Sequence, residues 1–140
     1  MVFTERKDDF MEKLINEMLE QKKWAVVGAS RNKDKFGYRI YKLLKDRGYD
    51  TVPINPVYKD VDGDLTKMDL LSLDEKVDCV SVVVSPKRAK KVVKDAIETG
   101  IENIWFQPGT YDSEVIELAK KGISNVVYDN CVLVELRKRD

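Results

Sequence analysis

"WAVVGASRNKDKFGYRI", residues 24–40, carries the fold-deciding pattern of the chain. A short apolar run stops at Gly28, then a polar loop leads into a helical pattern that opens near Gly37. A strand that ends on glycine and returns through a helix is the first unit of an α/β sheet, with the glycine freeing the chain to turn. The spacing departs from a G-x-G-x-x-G fingerprint, because Ser30 stands where the second glycine belongs. The loop is also longer and more basic than a dinucleotide loop, with Arg31, Lys33 and Lys35 against the single Asp34.

Working outward, further strand-like runs begin near Thr51 ("TVPIN"), Asp78 ("DCVSVVV"), Asn103 ("NIWF") and Asn125 ("NVVYD"). Amphipathic helical stretches separate most of them. One carries Ile40, Leu43 and Leu44 inward and stops at Gly48; another has Ser85 as cap and Pro86 in its first turn and stops at Gly100. A third starts at Asp112 or Ser113 and stops at Gly122. Residues 57–77 are less regular, with room for only a short helix, and "DVDGD" at 60–64 reads as a turn. Residues 4–22 form an added N-terminal helix, with Thr4 as cap and Phe10, Met11, Leu14, Ile15, Met18 and Leu19 as its packing stripe.

Strands alternating with helices at this period predict right-handed crossovers and a doubly wound, five-stranded parallel sheet covered on both faces. The expected strand order is 3-2-1-4-5, with a ligand crevice beyond the carboxyl ends of strands one and four. The 140 residues suit one domain with one sizeable core. Trp24, Trp105, Phe106 and Cys79 fall in or beside strands and read as core.

Composition narrows the function. Twenty-five basic residues balance 25 acidic ones, which speaks against a nucleic-acid or membrane-surface protein. Two cysteines fit neither a disulfide framework nor a zinc site, and the N-terminal segment is too charged for a signal peptide. A cytoplasmic location is expected. The sequence contains no histidine, so no imidazole base or phosphohistidine operates within it.

The loop after the first strand reads as a phosphate cradle: Gly28 turns the chain, Ser30 offers a hydroxyl and an amide, and Gly37 and Tyr38 open a helix with free N–H groups. Gly37 is expected to be small so that phosphate can approach. A plain solvated connection is the alternative. An NAD(P) reading wants an acidic residue at the end of the second strand, where Asn55 and Pro56 stand instead.

"VVGASRNKDKFGYRIYKLLKDRGY", "INP", "VSVVVSP", "IWFQPG" and "DNC", in that order, resemble the small stand-alone CoA-binding proteins of Rossmann-like fold. They are similar also to the CoA-binding domain at the front of the succinyl-CoA synthetase α subunit and the NDP-forming acyl-CoA synthetases. The likeness spans about residues 10–135. It implies non-covalent binding of coenzyme A or an acyl-CoA, with no evident catalysis; an NAD(P) oxidoreductase and CoA-linked thiol exchange are the alternatives. It implies that Gly28, Ala29, Ser30 and the amides of Gly37 and Tyr38 hold the pyrophosphate, with Arg31 or Lys35 nearby. Asn55 and Pro56 would border the adenosine, and Val84, Ser85 and Pro86 the adenine. Lys59, Lys87 or Arg88 would meet the 3′-phosphate, and Gln107, Pro108 and Gly109 the pantetheine arm. Cys131 reads as a small packing residue or as a thiol near the CoA sulfur, and Asp129 and Asn130 as residues closing a turn.

Overall fold

The computed structural model describes residues 7–139. The sheet contains β1 (Lys23–Val27), β2 (Asp50–Ile54), β5 (Cys79–Val82), β6 (Asn103–Phe106) and β7 (Asn125–Val127), all parallel, in the order β2-β1-β5-β6-β7. Its helices are α1 (Lys7–Leu19), α2 (Phe36–Asp46), α3 (Pro86–Glu98), α4 (Ser113–Gly122) and α5 (Val132–Lys138). A two-residue-per-strand hairpin, β3 (Asp60–Val61) and β4 (Asp64–Leu65), lies between β2 and β5, followed by a 3₁₀ turn at Leu70–Ser72.

The doubly wound parallel architecture is as expected; the strand order is corrected. Counting only sheet strands, the order is 2-1-3-4-5, because the third strand, β5, pairs with β1 and not with β2. Pro53 gives the physical reason. Its carbonyl faces away from β1 and accepts from the Lys67 amide at 3.0 Å. A residue's N–H and C=O point to the same side of a strand, so the donor that proline lacks falls on the sheet's outer edge, where it costs least. Placed between two other strands, β2 would have lost a ladder bond there.

Alternation along the strands divides the core. Trp24 and Val26 of β1, with Trp105 and Val127, pack under α1, α2 and α5. Ala25 and Val27, with Val80, Val82, Ile104 and Phe106, pack under α3 and α4. Both indoles are buried and hydrogen-bonded, Trp24 Nε1 to the Gln21 carbonyl at 3.1 Å and Trp105 Nε1 to that of Asn130 at 2.8 Å. Cys79 is buried with them.

Local signals behave mostly as read. Ser85 is the N-cap of α3 with Pro86 behind it, and the Asp112 side chain caps α4 by accepting from Val115 N at 2.9 Å. Thr4 lies outside the described residues. Phe10 departs from the stripe and is 55% exposed. At roughly 100° per residue it sits about 100° round the helix from the line through Met11 and Met18, on the stripe's flank. Gly122, the last residue of α4, packs closely on Ile97, whose side chain a Cβ there would meet.

Candidate functional site

The site grows from three segments that reach the carboxyl edge of the sheet together. β1 runs into Gly28, which has φ +98°, a left-handed conformation suited to glycine. Its N–H donates to the Ile54 carbonyl at 2.9 Å, and a Cβ on it would strike the backbone carbonyl of Val83. The strand order therefore moves the crevice: it opens between β1 and β5, the point where the winding reverses, and not between strands one and four.

The loop after Gly28 is held by its own side chains. Ser30 Oγ accepts from Asn32 N at 3.0 Å, and Asn32 Oδ1 from Asp34 N at 3.0 Å. Asn55, at the end of β2, donates from Nδ2 to the Ala29 carbonyl at 2.9 Å and accepts at Oδ1 from Val57 N at 2.8 Å. That amide staples two loops together, and no carboxylate stands at this position to bind a ribose.

The loop ends at Lys35, the N-cap of α2, which supplies no side-chain cap. The first N–H groups of a helix have no intrahelical acceptor. Tyr38 N already donates to the Lys35 carbonyl at 3.2 Å, so the open amides are those of Phe36 and Gly37. They border a cavity of roughly 600 Å³ lined also by Gly28, Ser30, Val84 and Arg88. A helix N-terminus with uncapped amides favours an anion there. Lys35 adds a positive charge at the rim and Asp34 an opposing one.

A second cavity of roughly 430 Å³ adjoins the first, the two sharing Gly28, Asn55, Val84 and Arg88. It is largely apolar, with Ile54, Leu70 and Val92 in its wall and Pro56 and Met68 at its edge. One concavity thus borders an uncapped helix N-terminus, and the next is mostly apolar with Asp69, Lys91 and Asp95 also in its lining.

Of the residues expected at the site, Gly28, Ser30, Lys35, Gly37, Asn55, Val84, Ser85 and Arg88 line the first cavity, and Pro56 the second. Ala29 is buried beneath the loop. Arg31 lies 3.7 Å from Asp60, and Tyr38 lines a separate groove with Leu43 and Leu133. Lys59, Pro86 and Lys87 border neither cavity. Nor do Pro108 and Gly109, and Gln107 is structural: buried, it donates from Nε2 to Ser81 Oγ at 3.1 Å and accepts at Oε1 from Val132 N at 3.0 Å. Cys131 is the N-cap of α5, half-buried against the core and outside both cavities. Asp129 bends the chain after β7 at φ +66°, and its carboxylate accepts from the Tyr111 hydroxyl, not from the backbone as expected.

Phe36, Val57, Tyr58, Met68, Asp69, Lys91 and Asp95 also line the two cavities. The signal for several of them was apolar residues in an otherwise polar connection, at 57–58 and 68–70.

A glycine turn at the switch point of a doubly wound sheet, opposite an uncapped helix N-terminus, defines a Rossmann-like α/β cofactor-binding fold. Residues 22–137 match the family model described as the CoA binding domain, and the chain belongs to that family. It is similar to a hypothetical protein from Pyrococcus horikoshii OT3 of known structure, with a TM-score of 0.87, 30% identity and coverage of 99% of this chain and 98% of that one. It is 29% identical to the uncharacterized protein YneT of Bacillus subtilis over 86% of this chain and 90% of the relative. It is also 29% identical to an ADP-forming acetate–CoA ligase of Methanocaldococcus jannaschii, over 77% of this chain but only 16% of the ligase. No helix among the described residues is long and apolar enough to cross a membrane.

Proposed function

We propose that this chain binds coenzyme A or an acyl-CoA non-covalently, as a single carrier or sensor domain without a chemical step of its own. The observation that carries the reading is the uncapped α2 N-terminus, whose Phe36 and Gly37 line a cavity of roughly 600 Å³ in a member of the CoA binding domain family. The diphosphate lies across their amides and the Gly28–Ser30 turn. The adenine enters the apolar cavity beside Pro56 and Val84, and the 3′-phosphate meets Arg88, the one of the three candidate cations that lines the space. The pantetheine arm then leaves toward the exposed Pro108–Gly109 turn.

The chain has no histidine to carry a phosphoryl group. Cys131 borders neither cavity, which favours plain binding over thiol exchange. The test is native mass spectrometry of the purified protein with titration calorimetry against CoA, acetyl-CoA and NAD. A one-to-one CoA complex is expected; binding of NAD in preference to CoA would overturn the reading.

A further inference from the structure

Asp95 is a carboxylate in an unusual place. It sits in the last turn of α3, is only 7% exposed, and lines the apolar cavity. Burying a carboxylate beside Ile54, Leu70 and Val92 is costly unless its oxygens find partners. Lys91, one turn earlier, supplies one: its Nζ lies 2.8 Å from Asp95 Oδ2. Asp69 stands 3.7 Å from the same ammonium. The Asp95 side chain has no other hydrogen bond among those found for the described residues, and no fully buried side-chain oxygen or nitrogen there lacks a partner. Oδ1 therefore keeps an opening, and the cavity is the space its residue lines.

We propose that the Asp95–Lys91 pair is a specificity element that reads the edge of the purine and selects a 6-amino over a 6-oxo base. This rests on the placement of the adenine in the second cavity. An ionised carboxylate only accepts hydrogen bonds and an ammonium only donates. Side by side they present an acceptor next to a donor. Adenine offers the complement, an amino donor at position 6 next to a bare N1 acceptor. Hypoxanthine offers the reverse, an oxo acceptor next to an N1–H donor, and the fixed sugar and diphosphate prevent it from turning over to match. The oxo group would then face a carboxylate oxygen, and Asp95 would be left buried with its open oxygen unpaired. A site built to bond a substrate donor discriminates strongly against the analogue that lacks it.

The test compares CoA with its hypoxanthine analogue by calorimetry. On the unaltered protein the analogue should bind about tenfold more weakly or worse, the scale of one charge-assisted hydrogen bond. In Asp95→Asn the side chain can donate as well as accept, and the preference should shrink to within about threefold, one lost charge-assisted contact on the same scale, while CoA still binds. Lys91→Gln keeps a hydrogen-bond donor for Asp95 but adds an acceptor beside it, and should also narrow the preference. Equal affinities on the unaltered protein, or an unchanged preference in both variants, would overturn the assignment while leaving CoA binding intact. Absence of any CoA binding would instead overturn the reading on which it rests.

Discussion

The carbonyl oxygen of Gly28 occupies the space that a Cβ on Gly37 would need. The first turn of α2 thus lies backbone against backbone on the turn that ends β1. The sequence alone suggested that Gly37 is small so that phosphate can approach. The structure gives it a second role that acts without ligand, holding helix and strand together so that the open amides face the cavity.

Gly37→Ala should therefore destabilise the unliganded protein. Inserting a methyl group into a well-packed contact costs roughly 1–3 kcal/mol, and here the obstacle is backbone, which cannot rotate away. Urea unfolding should show that loss, with CoA affinity falling alongside it. A variant of full stability that has lost only its affinity would return the glycine to the phosphate.

CoA should raise the melting temperature where NAD and NADP at equal concentration do little. A ligand that binds only the native state adds about 2.7 kcal/mol at 100 times its Kd. The discrimination against NAD follows from Asn55, whose amide is committed to Ala29 and Val57 at the position where a dinucleotide site needs a carboxylate. A larger shift with NADH than with CoA would contradict this.

Dephospho-CoA should bind more weakly than CoA by roughly 1.5–3 kcal/mol if Arg88 pairs with the 3′-phosphate. In Arg88→Gln the two ligands should bind alike. Should the difference persist in that variant and vanish in Lys59→Gln or Lys87→Gln, the contact belongs to one of those side chains.

The parallel sheet, the two covered faces and most helix ends were legible in the sequence because each rests on a local signal. "VSVVV" is apolar but for Ser81, as suits a strand buried on both faces, and Pro86 in the first turn of α3 and the Asp112 cap of α4 are each signalled by one residue. The strand order was not legible in the same way, since it depends on which neighbour β5 pairs with across the connection of residues 55–78. Pro53 held the missing clue, an absent donor that only an edge position tolerates. Asp62 and Gly63 both have positive φ, as a two-residue hairpin turn requires, but a read of "DVDGD" as a turn did not reveal the paired strands around it. Gln107 shows the limit for the site: residue type marked it as a polar group near a ligand, whereas its hydrogen bonds are spent on the protein itself.

The hairpin is the last element that shapes the cavity, and its anchor yields a pH-dependent prediction. Tyr41, buried in α2, donates its hydroxyl to Asp64 of β4, and Lys45 lies 2.7 Å from the same carboxylate. This fastens the hairpin to α2 beside Val57 and Tyr58, which wall the first cavity. Burial alone would raise the Asp64 pKa, but the bonds from Lys45 and Tyr41 outweigh it and hold it below the usual 3.8. A depressed carboxylate contributes stability that is present above its unfolded pKa and is lost as pH falls through the folded value. Burial and the bond to Asp64 push the Tyr41 phenol well above its ordinary 10.0, so its contribution is present below that value and is lost as pH rises through the folded one. Tyr41→Phe should therefore cost about 1 kcal/mol at pH 7, a charge-assisted hydrogen bond discounted for the part-exposure of Asp64. The gap between the two proteins should narrow below about pH 4 and again above about pH 10, where the ordinary carboxylate and phenol titrate. CoA affinity at pH 7 should drop with it, as the wall formed by Val57 and Tyr58 loosens. Urea unfolding at pH 3, 7 and 10.5 measures the gap directly, and a gap independent of pH would detach Tyr41 from the Asp64 charge.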